Sequence, residues 1–234
     1  MVGVALVTAA CGGSDDATVT VFAASSLTDA FGELATDFEA ANPGVDVEVS
    51  FAGSAQLARQ VADGAPADVF AAADERTMAI AVDAGAVEGT PATFATNTAV
   101  VVAAPGADRT VADLGDDDVV LAVCAEQVPC GAAAVELLDA LGIDASPDTL
   151  EPNVRSVLTK VELGEADLGI VYRTDAEAAA GGVTTLPLPP EAEVRVRYPI
   201  APTPGADDAA RDFVEFVLSD HGREVLARYG FGLP

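Results

Sequence analysis

Two serines, Ser26 and Ser54, occupy the same place in two similar local patterns. Each follows an apolar run typical of a strand, at 18–22 and 45–51, and each is predicted to occupy the N-cap of the helix that follows. A serine at the start of a helix can offer its hydroxyl and its amide to an anion, because the first helical amides lack partners and carry the positive end of the dipole. Either serine alone could merely cap its own helix. The repetition of the pattern favours an anion site.

The elements around these serines follow a regular order. Apolar residues recur at helical spacing after each serine, and a third strand at 67–72 precedes a third helix. Strand and helix repeated three times predict a parallel sheet, in which ligands bind at the carboxyl ends of the strands. Gly53, just before Ser54, permits a tight turn and the close approach of another backbone segment.

A second strand–helix series follows a polar, turn-rich passage at 91–97, and its first strand is predicted at 99–104. Extended stretches near 95–99 and 197–202 link the two series, so we predict two α/β lobes with mainly parallel sheets, a two-strand hinge and a cleft between the lobes. The predicted division is a tether at 1–16, a first lobe at 17–96 and 200–234, and a second lobe at 97–199.

The second series offers three more candidates at the ends of strands or the starts of helices. Cys130 lies in a Pro-Cys-Gly turn before a helix, and Val154 opens another helix, so their amides are potential donors. Tyr172 ends the strand LGIVY, where its phenol could face the cleft. Each has a plainer alternative: half of a disulfide for Cys130, a core residue for Val154, and a packed aromatic with a solvated hydroxyl for Tyr172.

The net charge of −27, with Lys160 as the single lysine, argues against nucleic acid or an anionic membrane surface as a partner. A desolvated pocket of amides and hydroxyls can still hold an anion, because exposed carboxylates are largely screened at physiological salt.

Catalysis is not expected. The single histidine, His221, lies in a C-terminal helical segment, and no G-x-S-x-G motif is present. Lys160 could in principle activate a serine, but its position on the helix after Val154 indicates a solvated face.

The three cysteines have different predicted roles. Cys11 follows an apolar stretch and two alanines and precedes a Gly/Ser/Asp run, which resembles a bacterial lipoprotein signal with Cys11 lipidated. The alternative is a disordered tail with an incidental cysteine. Cys124 and Cys130 could then form a disulfide in an exported chain, the alternative being two buried free thiols, while their spacing does not fit a zinc site. We expect the protein to be periplasmic, or lipid-anchored to the outer face of the cytoplasmic membrane.

From about Thr18 to the C terminus, the chain resembles the substrate-binding proteins of ABC-type molybdate importers. The motifs that carry this resemblance are VFAASSLTDAF, SFAGSAQLARQVADGAPADVF, VPCGAAA, NVRSVL, GEADLGIVYRTDA, RYPIA and RYGF. The resemblance implies a type II periplasmic-binding-protein fold whose cleft holds a tetrahedral oxyanion.

The family's oxyanion contacts would fall on the five residues that the strand ends also indicate: Ser26, Ser54, Cys130, Val154 and Tyr172. Cys130 stands where the family usually has alanine, and it should be tolerated because the expected contact is the backbone amide. Hydroxyl and amide donors without a carboxylate suit a fully deprotonated dianion and disfavour hydrogen phosphate.

The expected function is an extracytoplasmic receptor that binds molybdate, and tungstate as well, and delivers it to the permease of an ABC importer. The alternative is a receptor for sulfate or another tetrahedral oxyanion. We expect no cofactor and no directly ligated metal, because molybdenum would be bound as molybdate. We also expect a monomer.

Overall fold

The computed structural model describes residues 17–234. The predicted tether at 1–16 and the lipidation of Cys11 lie outside these residues. The strands are β1 Ala17–Ala24, β2 Val45–Ala52, β3 Val69–Ala71, β4 Ala92–Ala103, β5 Leu121–Cys124, β6 Thr149–Glu151, β7 Leu168–Tyr172, β8 Thr184–Thr185 and β9 Arg195–Pro202. The helices are α1 Thr28–Ala41, α2 Ser54–Ala62, α3 Glu75–Asp83, α4 Pro129–Leu141, α5 Val154–Glu162, α6 Arg173–Ala178, α7 Asp208–Leu218 and α8 Asp220–Arg228, with 3-10 turns at Ser25–Leu27, Val111–Gly115 and Pro190–Ala192.

The strands form one curled sheet in the order β2-β1-β3-β9-β4-β7-β5-β6, with β8 paired to β4. At one end, β1 is parallel to both β2 and β3, and at the other end β5 is parallel to both β6 and β7. The antiparallel pair β4–β9 lies between these two parallel groups. The predicted fold of two α/β lobes with mainly parallel sheets is confirmed.

The long strand β4 belongs to both halves of the sheet. Its first part pairs with β9 as far as Thr98, and from Ala99 onward it pairs with β7. The predicted crossings near 95–99 and 197–202 therefore lie on strands that pair with each other. The lobe boundaries assigned from the sequence stay a prediction.

The start of β4 corrects the sequence analysis. The passage 91–97 was predicted to be turn-rich, with a strand beginning at Ala99, but the strand begins at Ala92. Its polar residues Thr96, Asn97 and Thr98 are buried, because antiparallel pairing satisfies their backbone while neighbouring elements cover their side chains. Polar composition therefore indicated a loop where the fold buries a strand.

Aromatic side chains pack α7 against α1. The ring of Phe213 on α7 lies 6.2 Å from that of Phe31 and 5.3 Å from that of Phe38, both on α1. Phe94 on β4 packs 5.6 Å from Phe31 on the other side. Edge-on aromatic packing of this kind stabilises the core beyond its area burial. The predicted helix at 206–218 begins at Asp208, because Asp207 caps it by accepting a hydrogen bond from the Ala210 amide.

Candidate functional site

All five residues predicted to bind an anion line one small closed cavity of about 10 Å³. They are Ser26, Ser54, Cys130, Val154 and Tyr172. Ser26 and Ser54 follow strands of the β2-β1-β3 group, whereas the other three belong to elements of the β7-β5-β6 group. The cavity therefore lies between the two lobes, and its volume is at most about that of one water, so a tetrahedral oxyanion would fit only if the lining moved apart.

Ser26 reaches this cavity by a route that the sequence analysis did not anticipate. It was predicted to cap a helix, but it lies inside the 3-10 turn Ser25–Leu27, and α1 begins only at Thr28. The Thr28 hydroxyl donates to the Ser25 carbonyl at 2.7 Å, which holds the turn closed. The cap prediction for Ser26 was wrong because a tight turn separates the strand from the helix.

Ser54 is the first residue of α2, and Gly53 occupies the cap position without a side-chain bond. The predicted cap role for Ser54 was therefore wrong by one residue. Its Oγ accepts a hydrogen bond from the Ala73 amide at 3.0 Å, just after β3. Because the oxygen accepts from the backbone, the hydroxyl proton of Ser54 is left for another acceptor.

Gly53 brings the two lobes into direct contact. A Cβ placed on Gly53 would overlap the carbonyl oxygen of Pro152, which lies just before α5. The backbone of Gly53 has φ −63°, so its conformation suits any residue and only the close approach requires glycine. The two lobes are therefore closed against each other in this structure, and Gly53 lies at their contact.

Two helix starts supply backbone donors from the second lobe. Cys130 is the second residue of α4 and Val154 is the first residue of α5, and amides at these positions have no partner within their helices. Asn153 caps α5 by accepting from the Ser156 amide at 3.0 Å, which leaves the Val154 amide uncommitted. Val154 is also buried, so its core alternative is compatible with a donor role for its amide, and that donor role stays a prediction.

A disulfide joins Cys124, the last residue of β5, to Cys130 in the first turn of α4. Their Cα atoms are 5.6 Å apart, and the bridge closes the loop that carries the Cys130 amide. The side chain of Cys130 is thereby directed to Cys124, so its contribution to the cavity is a backbone one.

Tyr172 places a phenol at the cavity with no hydrogen-bond partner among residues 17–234. The residue is 1% exposed, so the alternative of a solvated hydroxyl is wrong for this closed arrangement. Burial raises the pKa of the Tyr172 phenol, which keeps it protonated and able to donate. An unpartnered buried hydroxyl is costly, and a bound acceptor would remove that cost.

Sequence reasoning missed two side chains next to Ser26. Tyr198 of β9 lies with its Oη 2.9 Å from Ser26 Oγ, and Asn97 of β4 donates from Nδ2 to Tyr198 Oη at 3.3 Å. The RYPIA motif contained Tyr198 but gave no reason to place its hydroxyl near Ser26, which is 172 residues away. Only the position of Tyr198 on a predicted crossing stretch could have drawn attention to it.

A second group that sequence reasoning missed is centred on Arg155 of α5. Arg155 pairs with Asp29 of α1, and its Nε lies 2.8 Å from Asp175 Oδ1 on α6. The Asp29 pair joins the two lobes, and Arg76 of α3 adds a second link by donating to the Val128 carbonyl at 3.4 Å. Asp29 and Arg155 line a larger cavity of about 390 Å³, which Ser26 also lines.

Asp175 has no exposed surface, and this burial raises its pKa from 3.8 to about 7, against the opposing charge of Arg155. Between these two values the folded protein holds a proton that the unfolded chain has released. Raising the pH through this window therefore lowers stability, by up to about 1.4 kcal/mol per pH unit.

We expect the free energy of unfolding, measured with denaturant from pH 4 to pH 8, to fall more steeply in the wild type than in Asp175→Asn. The asparagine cannot titrate, so the difference between the two proteins isolates this one group. If the free energy of unfolding had the same pH dependence in both proteins, the raised pKa assigned to Asp175 would be contradicted.

The remaining titratable candidates lie elsewhere. His221 Nε2 is 2.8 Å from Asp37 Oδ2 at the surface, and Lys160 pairs with Glu151 at 3.6 Å and Glu165 at 3.7 Å. Within residues 17–234 there is no cluster of three or more histidine, cysteine or acidic side chains suited to a metal ion. Over the same residues, no helix has the length and apolar character needed to cross a membrane.

Comparison with known proteins identifies the family to which this chain belongs. The model of the bacterial extracellular solute-binding protein family matches residues 19–232. The chain belongs to this family. Membership in a solute-binding family implies a binding role rather than catalysis, and an extracellular family implies export.

One relative in this solute-binding family is Molybdate-binding protein ModA of Mycobacterium tuberculosis strain H37Rv. It is 43% identical over 221 residues, which cover 92% of this chain and 85% of the relative. This confirms the resemblance to molybdate-binding proteins that the sequence motifs indicated.

Two solved structures share the fold. The periplasmic molybdate-binding protein of Azotobacter vinelandii matches with a TM-score of 0.78 and 22% identity, over 92% of this chain and 99% of that one. The sulfate-binding protein SubI of Mycobacterium tuberculosis H37Rv matches with a TM-score of 0.81 and 21% identity, over 92% and 86%. These likenesses confirm the predicted type II periplasmic-binding-protein fold.

Proposed function

We propose that this protein is an extracytoplasmic receptor that closes its two lobes on molybdate, accepts tungstate as well, and delivers the oxyanion to the permease of an ABC importer. The observation that carries the proposal is the closed cavity between the lobes, where Ser26, Ser54, Cys130, Val154 and Tyr172 meet. The relative that is 43% identical and named as molybdate-binding supports the choice of ligand.

The chemistry of the cavity supports a dianion without a proton. Its lining contains three serines, a phenol and the starts of two helices, and no carboxylate. Helix starts and hydroxyls stabilise a tetrahedral anion through several donors without a full opposing charge. Hydrogen phosphate carries a proton that would need an acceptor, and this lining offers a poor one.

Sulfate is the second candidate, because it is also a fully ionised tetrahedral dianion and a sulfate-binding protein shares the fold. The two ligands differ in size, and molybdate needs a larger cavity than sulfate does. The 43% identity to a molybdate-binding relative favours molybdate over sulfate.

Three parts of the proposal concern how the receptor works in the cell. We infer that Cys11 is lipidated and anchors the receptor at the outer face of the cytoplasmic membrane. The receptor acts as a monomer, with lobes at 17–96 plus 200–234 and at 97–199. The hinge lies on β4 and β9, where the chain crosses between the lobes.

The deciding experiment is titration calorimetry of the purified protein with molybdate, tungstate, sulfate and phosphate, repeated on Ser26→Ala. Loss of one hydrogen bond to a charged ligand should weaken molybdate binding about 10- to 100-fold. Ser146→Ala is the matched control, because Ser146 is exposed and lies outside the cavity lining. Tighter binding of sulfate would overturn the choice of ligand, and no binding of any of the four anions would overturn the receptor itself.

A further inference from the structure

We propose that Asn97 and Tyr198 are positioning residues that fix the direction of the Ser26 hydroxyl, so that its proton points to the bound oxyanion. This inference rests on the proposed function and adds two residues to it. It rests on the direction of the hydrogen bonds that link the Thr98 amide to Asn97, Asn97 to Tyr198, and Tyr198 to Ser26.

The first step fixes the amide of Asn97. The backbone amide of Thr98 donates to one terminal atom of the Asn97 side chain at 2.9 Å, and a backbone N–H can only donate. That atom is therefore the carbonyl oxygen, and the other is the nitrogen, which carries only donors. Asn97 Nδ2 donates to Thr174 Oγ1 at 2.8 Å and to Tyr198 Oη at 3.3 Å.

The second step fixes the phenol of Tyr198. Tyr198 Oη accepts from Asn97, and if it also accepted from Ser26 its own proton would be left without an acceptor. Within residues 17–234, the other hydrogen-bond partner of this oxygen is Ser26 Oγ, at 2.9 Å. Tyr198 is fully buried, and burial raises the pKa of its phenol, so the proton stays on the oxygen.

The third step concerns Ser26 itself. With Tyr198 as the donor of this pair, the Ser26 oxygen accepts and the Ser26 proton remains for a further acceptor. Ser26 is 3% exposed and lines both the small cavity and the larger one beside it. We place the acceptor in the small cavity, because the unpartnered phenol of Tyr172 and the hydroxyl of Ser54 also lie there. A bound oxyanion there completes a chain of donors that runs from Asn97 through Tyr198 and Ser26 to the ligand.

The hydroxyl of Ser54 is oriented in the same way, but by a backbone donor. Its oxygen accepts from the backbone amide of Ala73, so its proton is also left for the cavity. In both serines, a protein donor occupies the oxygen and makes the hydroxyl a donor toward the ligand. For Ser54 the backbone supplies that donor, whereas for Ser26 two replaceable side chains supply it.

Tyr198 also packs against aromatic rings of Phe94, Tyr172 and Phe231, so a purely structural role must be separated from a positioning role. Tyr198→Phe keeps the ring and removes only the hydroxyl. If the hydroxyl were purely structural, Tyr198→Phe would lower the melting temperature of the unliganded protein equally with Ser26 and with Ser26→Ala. A positioning role would lower affinity only when Ser26 is present.

The test is a double-mutant cycle on molybdate affinity, measured by calorimetry on wild type, Tyr198→Phe, Ser26→Ala and the double variant. We expect Tyr198→Phe to raise the Kd about fivefold in the wild-type background and to change it less than twofold in the Ser26→Ala background. Tyr229→Phe is the matched control, because its hydroxyl donates to Glu33 at 2.8 Å away from the closed cavity.

A second variant guards against a folding defect in Tyr198→Phe. Asn97→Ala leaves the Tyr198–Ser26 pair and removes the donor that sets its direction, so we expect a smaller loss of affinity that also depends on Ser26. Independent effects of the two sites, or unchanged affinity in both variants, would overturn the proposal while the wild-type titration still upholds the receptor. If the wild type binds none of molybdate, tungstate and sulfate, the receptor and this inference both fail.

Discussion

Replacing Gly53 by alanine is expected to weaken molybdate binding about 10- to 100-fold while leaving the unliganded protein folded. The added Cβ would overlap the Pro152 carbonyl oxygen, which is a backbone atom and cannot turn aside as a flexible side chain could. Alanine suits the backbone conformation of Gly53, so the substitution opposes only the contact between the lobes. Affinity falls because part of the binding free energy is consumed in relieving the overlap.

The matched control for this prediction is Gly32→Ala. Gly32 lies on α1, and a Cβ placed there would meet no atom within 4 Å. Alanine at Gly32 should leave affinity unchanged and raise stability slightly, since alanine favours a helix over glycine by about 1 kcal/mol. Small-angle scattering supplies the second measurement: molybdate should compact the wild type and compact Gly53→Ala less. Wild-type affinity in Gly53→Ala would contradict a closure that depends on this contact.

Replacing Arg155 by alanine is expected to lower the free energy of unfolding by about 1.4 kcal/mol more at pH 8 than at pH 5. At high pH, the substitution leaves the buried Asp175 carboxylate without its cation. At pH 5, Asp175 is protonated, because burial holds its pKa at about 7 with Arg155 present and removal of Arg155 raises that pKa further. Denaturant unfolding at the two pH values measures the difference.

The matched control for Arg155→Ala is Asp29→Ala. Asp29 is partly exposed and pairs with Arg155 across the lobes, so its loss should cost about 1 kcal/mol or less, with little dependence on pH. An equal loss of stability for Arg155→Ala at both pH values would show that Asp175 does not govern the effect. An equal loss for the two variants would show that the contact between the lobes dominates.

The local sequence was sufficient to find residues whose role depends on the end of a strand or the start of a helix. Val154 follows Pro152 and Asn153, and that order marks a helix start in any fold. Tyr172 ends a run of buried strand residues, so its position at the carboxyl end of a strand followed from the pattern. The carboxyl ends of neighbouring strands then meet by the geometry of parallel sheets.

The rest depends on contacts between distant parts of the chain. The polar residues at 96–98 resemble a loop until β9 pairs with them, which made the predicted start of β4 wrong. The 3-10 turn at Ser25–Leu27 has no distinct sequence signal, so the cap prediction for Ser26 failed. The contacts of Ser26 with Tyr198 and of Asp29 with Arg155 span more than 100 residues, and no local pattern encodes such contacts.

The position of Asn97 and Tyr198 on the paired strands β4 and β9 has a mechanical consequence. In a hinged body, points near the pivot travel least, and the proposed pivot lies on these two strands. If the receptor pivots there, we expect the contact of Ser26 with Tyr198 to change little when the lobes move, because Asn97 and Tyr198 lie close to the pivot, whereas groups farther from these strands are displaced more.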